Sequence, residues 1–405
     1  MNILVVSQYF YPETFRINHL CSELVRRGHS VTVLTAYPQY PQGKIYDGYG
    51  FRKPYDSKWN GVNIIRLKVR PRGKTFVGLL LNCLTFVTEG EKWVRKCKTK
   101  FDAVYVYEIS PVTVGLPAVA YKKKFGTPLF LNVQDLWPEN VEIVLGIHFG
   151  PVIKTINKIV DKIYNASNKI LCSSRSFVDN IAARGIEKEK LVFWPQFCID
   201  PDLENMTRPA IYSEDNFNIV FAGNIGNAQG LELLVDAAAQ MNKSNVRWYL
   251  VGDGRAREHL QKRVCELGLE ENVIFVGRVS ENEANRYVHF ADCAYLSFMD
   301  NLVFDMTIPA KMQTYLACGT PVLAAAGGES REIIKKSGCG ISCERDCSEV
   351  VSAVTKLKAD RKALLRMREN GRIYYQNNFE PDKLIDRLEE FFNADNARNA
   401  PEHSA

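Results

Sequence analysis

Apolar, β-branched runs of four to six residues recur along the chain, each followed by a turn and then by a stretch whose apolar residues return with helical spacing. In the first half the runs fall at residues 3–6, 30–35, 62–67, 103–107, 129–132, 169–173 and 191–194. In the second half they fall at 218–222, 247–251, 273–276, 293–296, 321–325 and 340–343. Strands apolar along their whole length are buried on both faces, and their alternation with helices builds a parallel sheet covered on each side. The pattern predicts an α/β protein of two Rossmann-like, doubly wound domains, residues 1–197 and 216–372. Residues 198–215 carry no periodicity and read as a linker. A helix within 373–393 is expected to fold back onto the first domain, and the polar tail 394–405 to be disordered.

A chain of 405 residues is longer than one ordinary core supports, which agrees with two domains. Charge changes the picture more than composition does. The net charge of +6 hides a split: residues 1–197 hold 28 Lys and Arg against 15 Asp and Glu, and the remainder 24 against 31. A basic first half suits an anionic partner. Its basic stretches lack the interleaved aromatics of a nucleic-acid reader, so no nucleic acid is expected; a phospholipid surface or a polyprenyl-pyrophosphate acceptor fits better. The longest apolar segment, residues 76–87 (FVGLLLNCLTFV), falls short of the roughly 18–20 residues of a spanning helix. It runs into Lys92, Arg95, Lys96, Lys98 and Lys100 around Trp93, a pattern of an interfacial helix on an anionic membrane through residues 92–100. A buried helix with a solvated end is the alternative. Eleven cysteines without a CxxC pair or a secretory leader suit a reducing compartment. The expected location is cytoplasmic, peripheral on the inner face of the membrane. Cys339, Cys343 and Cys347 have no histidine beside them, and no metal site is expected.

Candidate chemistry sits at the ends of the predicted strands, where doubly wound sheets bind ligands. After the first strand, residues 8–16 (QYFYPETFR) lead into a helix whose first turn, with Arg16, could meet a phosphate. His29, just before the second strand, reads as structural. Residues 37–49 (YPQYPQGKIYDGY) form an irregular loop in which Tyr37 and Tyr40 could stack on an acceptor. Residues 132–142 (NVQDLWPENVE) place Asp135, Glu139 and Glu142 around Trp137. Asp135 is the first candidate and Glu139 the second for taking an acceptor proton or steadying a positive sugar; a plain N-cap is the other reading of Asp135. In the second half, Gly223, Gly226 and Gly230, then Gly252 and Gly254, then Gly277–Arg278 open three successive strand ends to close approach by a nucleotide. The stretch 309–328 (PAKMQTYLACGTPVLAAAGG) adds Lys311 and Gln313 on a helix, and Gly327–Gly328 before a helix opening with Glu329, a place for a diphosphate.

Taken in order, GHxVTVLT, DLWPE, GNxGxxQG, VGDG, VGR and PxKxxxYLAxGxPVLA…GG resemble glycosyltransferase family 4 over roughly residues 2–390, above all bacterial O-antigen and capsule transferases of N-acetylated amino sugars such as fucosamine. The resemblance implies the GT-B fold, two domains facing across a cleft. It implies retaining transfer from a UDP-sugar held mainly by the second domain to an undecaprenyl-diphosphate-linked acceptor on the first. No essential metal is implied, because basic side chains and helix ends neutralise the diphosphate. The sequence departs from the wider family in three places. The paired Glu positions before the glycine of GxP hold Thr314 and Met306, with Asp305 adjacent to the latter. The Arg and Lys of the second-domain loop are Asn224 and Gln229. The Gly pair after the first strand is Glu13–Thr14. The amino-sugar branch implies Lys311 and Gln313 in the place of the missing groups. Other readings of the chain are a non-catalytic GT-B-shaped partner in a polysaccharide assembly and a sugar-nucleotide epimerase.

Overall fold

The central apolar runs become strands buried on both faces, and the outer ones strands only partly buried. In β1 (Asn2–Ser7), Ile3, Leu4, Val5 and Val6 expose no surface. The computed structural model describes residues 1–50, 57–73, 75–141 and 149–399. The chain divides into two compact units, Met1–Trp194 with Ile385–Ala405, and Pro195–Leu384.

The first unit is built on β1, β2 (Ser30–Ala36), β3 (Lys58–Trp59), β4 (Val62–Leu67), β5 (Ala103–Glu108), β6 (Leu129–Val133), β7 (Lys169–Cys172) and β8 (Leu191–Phe193). They lie in the order β3-β4-β2-β1-β5-β6-β7-β8, all parallel except the short β3 against β4. The chain therefore winds outward from β1 and returns to continue at β5. That reversal opens a crevice beyond the carboxyl ends of β1 and β5. The helix Phe76–Lys96 crosses between β4 and β5, its first turn capped by the Thr75 hydroxyl accepting from the Gly78 N–H at 3.1 Å. Its exposed positions include Val77, Leu80, Leu84 and Lys92, one face of the helix.

The second unit carries β9 (Phe217–Ala222), β10 (Val246–Val251), β11 (Val273–Gly277), β12 (Cys293–Ser297), β13 (Val322–Ala325) and β14 (Gly340–Cys343). All are parallel, in the order β11-β10-β9-β12-β13-β14, so here the reversal lies between β9 and β12. Residues 198–215, expected as a linker, belong to this unit, because Tyr212 is buried in it. The Tyr212 ring packs 4.5 Å from that of Tyr249, its hydroxyl donates to Tyr287 O at 2.9 Å, and the Tyr249 hydroxyl donates to Ile211 O at 3.0 Å.

The final helix, Pro381–Asn399, crosses the division between the units, and from Ile385 onward it is part of the first. Ile385, Leu388 and Phe392 recur on one face and are fully buried, Phe392 meeting the Phe130 ring edge-on at 4.8 Å. Residues 394–399, expected as the start of a disordered tail, continue this helix. Arg27 pairs with Asp386 and Glu389, and His29 Nε2 lies 2.6 Å from Glu389, so His29 serves the fold.

Candidate active site

The glycine turns at the carboxyl ends of β9, β10 and β11 are zipped to one another. Gly223 N–H donates to Val251 O, Ile225 N–H to Asp253 O, and Gly252 N–H to Gly277 O, at 2.9, 2.9 and 2.8 Å. A methyl group on Gly252 would stand 1.9 Å from Gly223 O, and one on Gly254 would stand 2.2 Å from Ile225 O. These two glycines are thus required by the neighbouring turn. The turn after β9 is bound across the reversal as well: the Ser297 hydroxyl donates to Gln229 O at 2.6 Å, and Met299 N–H to Ala228 O at 3.0 Å.

Lys311, on the helix Ala310–Ala317, reaches into this crevice. Its ammonium donates to the Gln229 carboxamide oxygen and lies 4.2 Å from the centre of the Phe221 ring and 5.5 Å from that of Phe298. Its methylene chain passes beside Gly223. Loss of hydration here pulls the Lys311 pKa down to about 7. Tyr315, one helical turn on, locks the helix to β9, its hydroxyl accepting from Ala222 N–H at 3.0 Å.

The remaining candidates of this unit separate. Gln313 is buried and donates to Gln196 O at 2.7 Å, while Thr314 faces Cys198, so both serve the segment entering the unit and do not join Lys311. Asn224 folds over Gly226 and Gly254. Arg278 is exposed at the end of β11. Asp305 is held by Arg345 at 2.5 Å. A side chain on Gly328 would collide with Asp305 O at 1.9 Å, and one on Gly327 would meet the Asp305 carboxylate at 2.8 Å. The Gly pair therefore makes room for Asp305. Gly327 caps the helix Gly328–Ser337, whose first turn holds the buried Glu329.

In the first unit, a cavity of about 250 Å³ at the ends of β5 and β6 is lined by Arg72, Leu79, Cys83, Ser110, Asp135 and Trp137, among others. The Ser110 N–H and hydroxyl both donate to Asp135 Oδ2 at 2.7 Å, and the Trp137 indole N–H donates to the Ser110 oxygen at 3.3 Å. Asp135 is thus fixed by a serine through Oδ2, and does not cap a helix. Glu139 turns away, accepting from Asn180 at 3.2 Å. Glu142 lies outside the described residues. Of the aromatic candidates, Tyr37 is buried and Tyr40 is exposed, packed 5.3 Å from Tyr9 and Phe15. Arg16 opens the helix Arg16–Arg26. Glu13 is a latch: its carboxylate accepts from the N–H groups of Gln39, Tyr40 and Phe10 at 2.7, 2.7 and 3.2 Å, joining the loops after β1 and β2.

Residues 14–196 match the glycosyl transferase 4-like domain, and residues 216–360 match the glycosyl transferases group 1. The chain belongs to the family 4 glycosyltransferases. The transferase is similar to a colanic acid biosynthesis glycosyl transferase, WcaI, of Escherichia coli K12, 23% identical over 95% of this chain and 98% of that one. It is also similar, at 22% identity over 53% of this chain and 55% of the other, to the glycosyltransferase WbjE of Pseudomonas aeruginosa. Its fold is shared with sucrose-phosphate synthase of Thermosynechococcus elongatus (TM-score 0.75, 16% identity, 98% and 99% of the two chains). HepE of Anabaena, solved with UDP, shares it too (TM-score 0.69, 15% identity, 97% and 100%). These are GT-B enzymes, two parallel-sheet domains each.

In the transferase, Gln229 on the loop after β9 thus accepts from a lysine on the helix Ala310–Ala317. Sequence reading did not find Arg72, Ser110 or Glu108. Glu108 ends β5 fully buried, with no side-chain partner for its carboxyl group among the described residues. Burial first, and then the nearby Asp135 charge, raise its pKa well above the ordinary carboxylate range. No local motif marks these three. Among the described residues no three His, Cys, Asp or Glu side chains gather to hold a metal ion, and no helix is long and apolar enough to cross a membrane.

Proposed function

We propose that this glycosyltransferase moves a sugar, an N-acetylated amino sugar by the family resemblance, from a UDP-sugar to a lipid-diphosphate-linked acceptor in the assembly of a bacterial surface polysaccharide. The observation that carries the donor half is the Lys311 ammonium, stripped of water and aimed at the β9–β12 reversal beside Gly223. A cation kept dry at a strand-end crevice is suited to a diphosphate, whose charge restores what dehydration removed. HepE of Anabaena, solved with UDP, supports this choice of donor, and the name of the Escherichia coli relative supports the polysaccharide.

In this reading the acceptor enters the cavity beside Asp135, with Trp137 against its sugar and Arg72 toward its phosphate. The acceptor oxygen bonds to the anomeric carbon on the face the diphosphate leaves, the bond from that carbon to the diphosphate breaks, and Asp135 Oδ1 takes the hydroxyl proton. UDP leaves with the charge that Lys311 offsets, without a metal. Retention of anomeric configuration rests on the family resemblance. The exposed Val77, Leu80 and Leu84 followed by Lys92 and Arg95 lay the helix Phe76–Lys96 on an anionic leaflet, bringing the acceptor's lipid to the cavity that Leu79 and Cys83 help to line.

The test is Lys311→Ala. UDP binding by calorimetry should weaken at least about tenfold, as for one lost charge-assisted contact, and transfer should fall with it. Unchanged UDP affinity would remove Lys311 from the donor site.

A further inference from the structure

The first unit has a larger cavity, about 540 Å³, remote along the helix Phe76–Lys96 from the one beside Asp135. Helix Phe76–Lys96 contributes Val94 and Arg95, helix Leu116–Phe125 contributes Leu116, Val119, Ala120 and Lys123, and helix Gly150–Ala166 contributes Lys162. The floor is apolar and the rim cationic. Lys124, also on the wall, is engaged with the helix-end carbonyls of Val94, Arg95 and Cys97 at 3.0, 2.9 and 2.7 Å. Arg95, Lys123 and Lys162 are exposed, and their side chains make no hydrogen bond or ion pair among the described residues. Glu91 is the sole acid on the wall. Three like charges around one opening repel each other, and the arrangement is favourable when an anion lies among them.

The apolar floor narrows the choice of anion. Bare phosphate has no use for Val94, Leu116 and Val119, whereas a glycerophospholipid offers a phosphate to the rim and methylenes to the floor. The surroundings fit the same ligand. Val77, Leu80 and Leu84 are exposed earlier on one of the three helices, Phe149 and Val152 at the start of another, and Lys154, Lys158 and Lys162 follow on one face of the latter. We propose that this cavity seats the head group of an anionic phospholipid from the leaflet on which helix Phe76–Lys96 rests. The proposal rests on the membrane-docking part of the function given above and adds a defined site to it.

The experiment measures binding of dihexanoyl-phosphatidylglycerol, below its micellar concentration, and of glycerol 1-phosphate by calorimetry, alongside adsorption to phosphatidylglycerol–phosphatidylcholine vesicles. Lys123→Glu/Lys162→Glu should weaken the short-chain lipid about tenfold or more, two reversed charges at a lipid phosphate, while UDP binding stays unchanged. Leu80→Asp/Leu84→Asp should lose vesicle adsorption and keep the short-chain lipid. Equal binding of glycerol 1-phosphate and the lipid, or undiminished lipid binding in the charge-reversed variant, overturns the proposal. Short-chain lipid bound by wild type without vesicle adsorption supports the cavity and removes the docking reading instead.

Discussion

In the donor site proposed above, Lys311 would make donor binding depend on pH. Its free pKa of about 7 is set by dehydration, with Gln229, Phe221, Phe298 and Gly223 around it. A diphosphate favours the charged form, so binding above pH 7 takes up a proton, and below pH 7 it does not. UDP affinity should therefore fall as pH rises from 7 to 9, by at most about tenfold per unit. Lys311→Arg, charged throughout, should flatten that slope; calorimetry in buffers of differing ionisation enthalpy reads the proton directly. Glu13 offers a contrasting case. Glu13→Ala leaves three backbone donors without their acceptor and should cost on the order of 3 kcal/mol, read in denaturant unfolding, while Glu13→Gln keeps an acceptor and should cost less. Lys311 was a candidate in the sequence, but its pairing with Gln229 was not legible there, nor was the latch at Glu13. Lys311 and Gln229 stand 82 positions apart, and Glu13 looked like a missing glycine.

At the scale of elements, strands were legible because burial on both faces leaves an unbroken apolar run. The glycine turns were legible as turns, but not what makes each glycine necessary. A ligand and a neighbouring loop make the same demand on a missing Cβ, and sequence does not distinguish them. Gly252 and Gly254 answer to the turn after β9, and Gly327–Gly328 to Asp305. Gly252→Ala, at φ +136° and facing Gly223 O, should displace the turn beside Lys311, lowering both thermal stability and UDP affinity. Loss of stability alone, with affinity intact, would uncouple the two turns. The helix Ala310–Ala317 carries a related lesson. Lys311 and Tyr315 share one face toward β9, and Gln313 takes another toward Gln196, so a motif contiguous in sequence is divided by helical rotation.

For the whole molecule, the charge split between halves was plain in the sequence, whereas the division of the chain was only half visible. The return of the last helix was expected, but its reach to Asn399 was not, since residues 394–399 (ADNARN) hold no large apolar residue and read as tail. Truncation after Leu384 uncovers Phe130 and leaves Arg27 and His29 without Asp386 and Glu389. The shortened protein should show trypsin sensitivity in residues 1–194 while residues 195–384 still bind UDP.

That returning helix also decides what a protease can accomplish. A nick near residue 205 yields an amino-terminal piece holding nearly all of the first unit and a carboxyl-terminal piece that ends inside it. Because residues 385–399 remain seated among the strands of the other fragment, the severed halves should travel together through gel filtration and part only in denaturant.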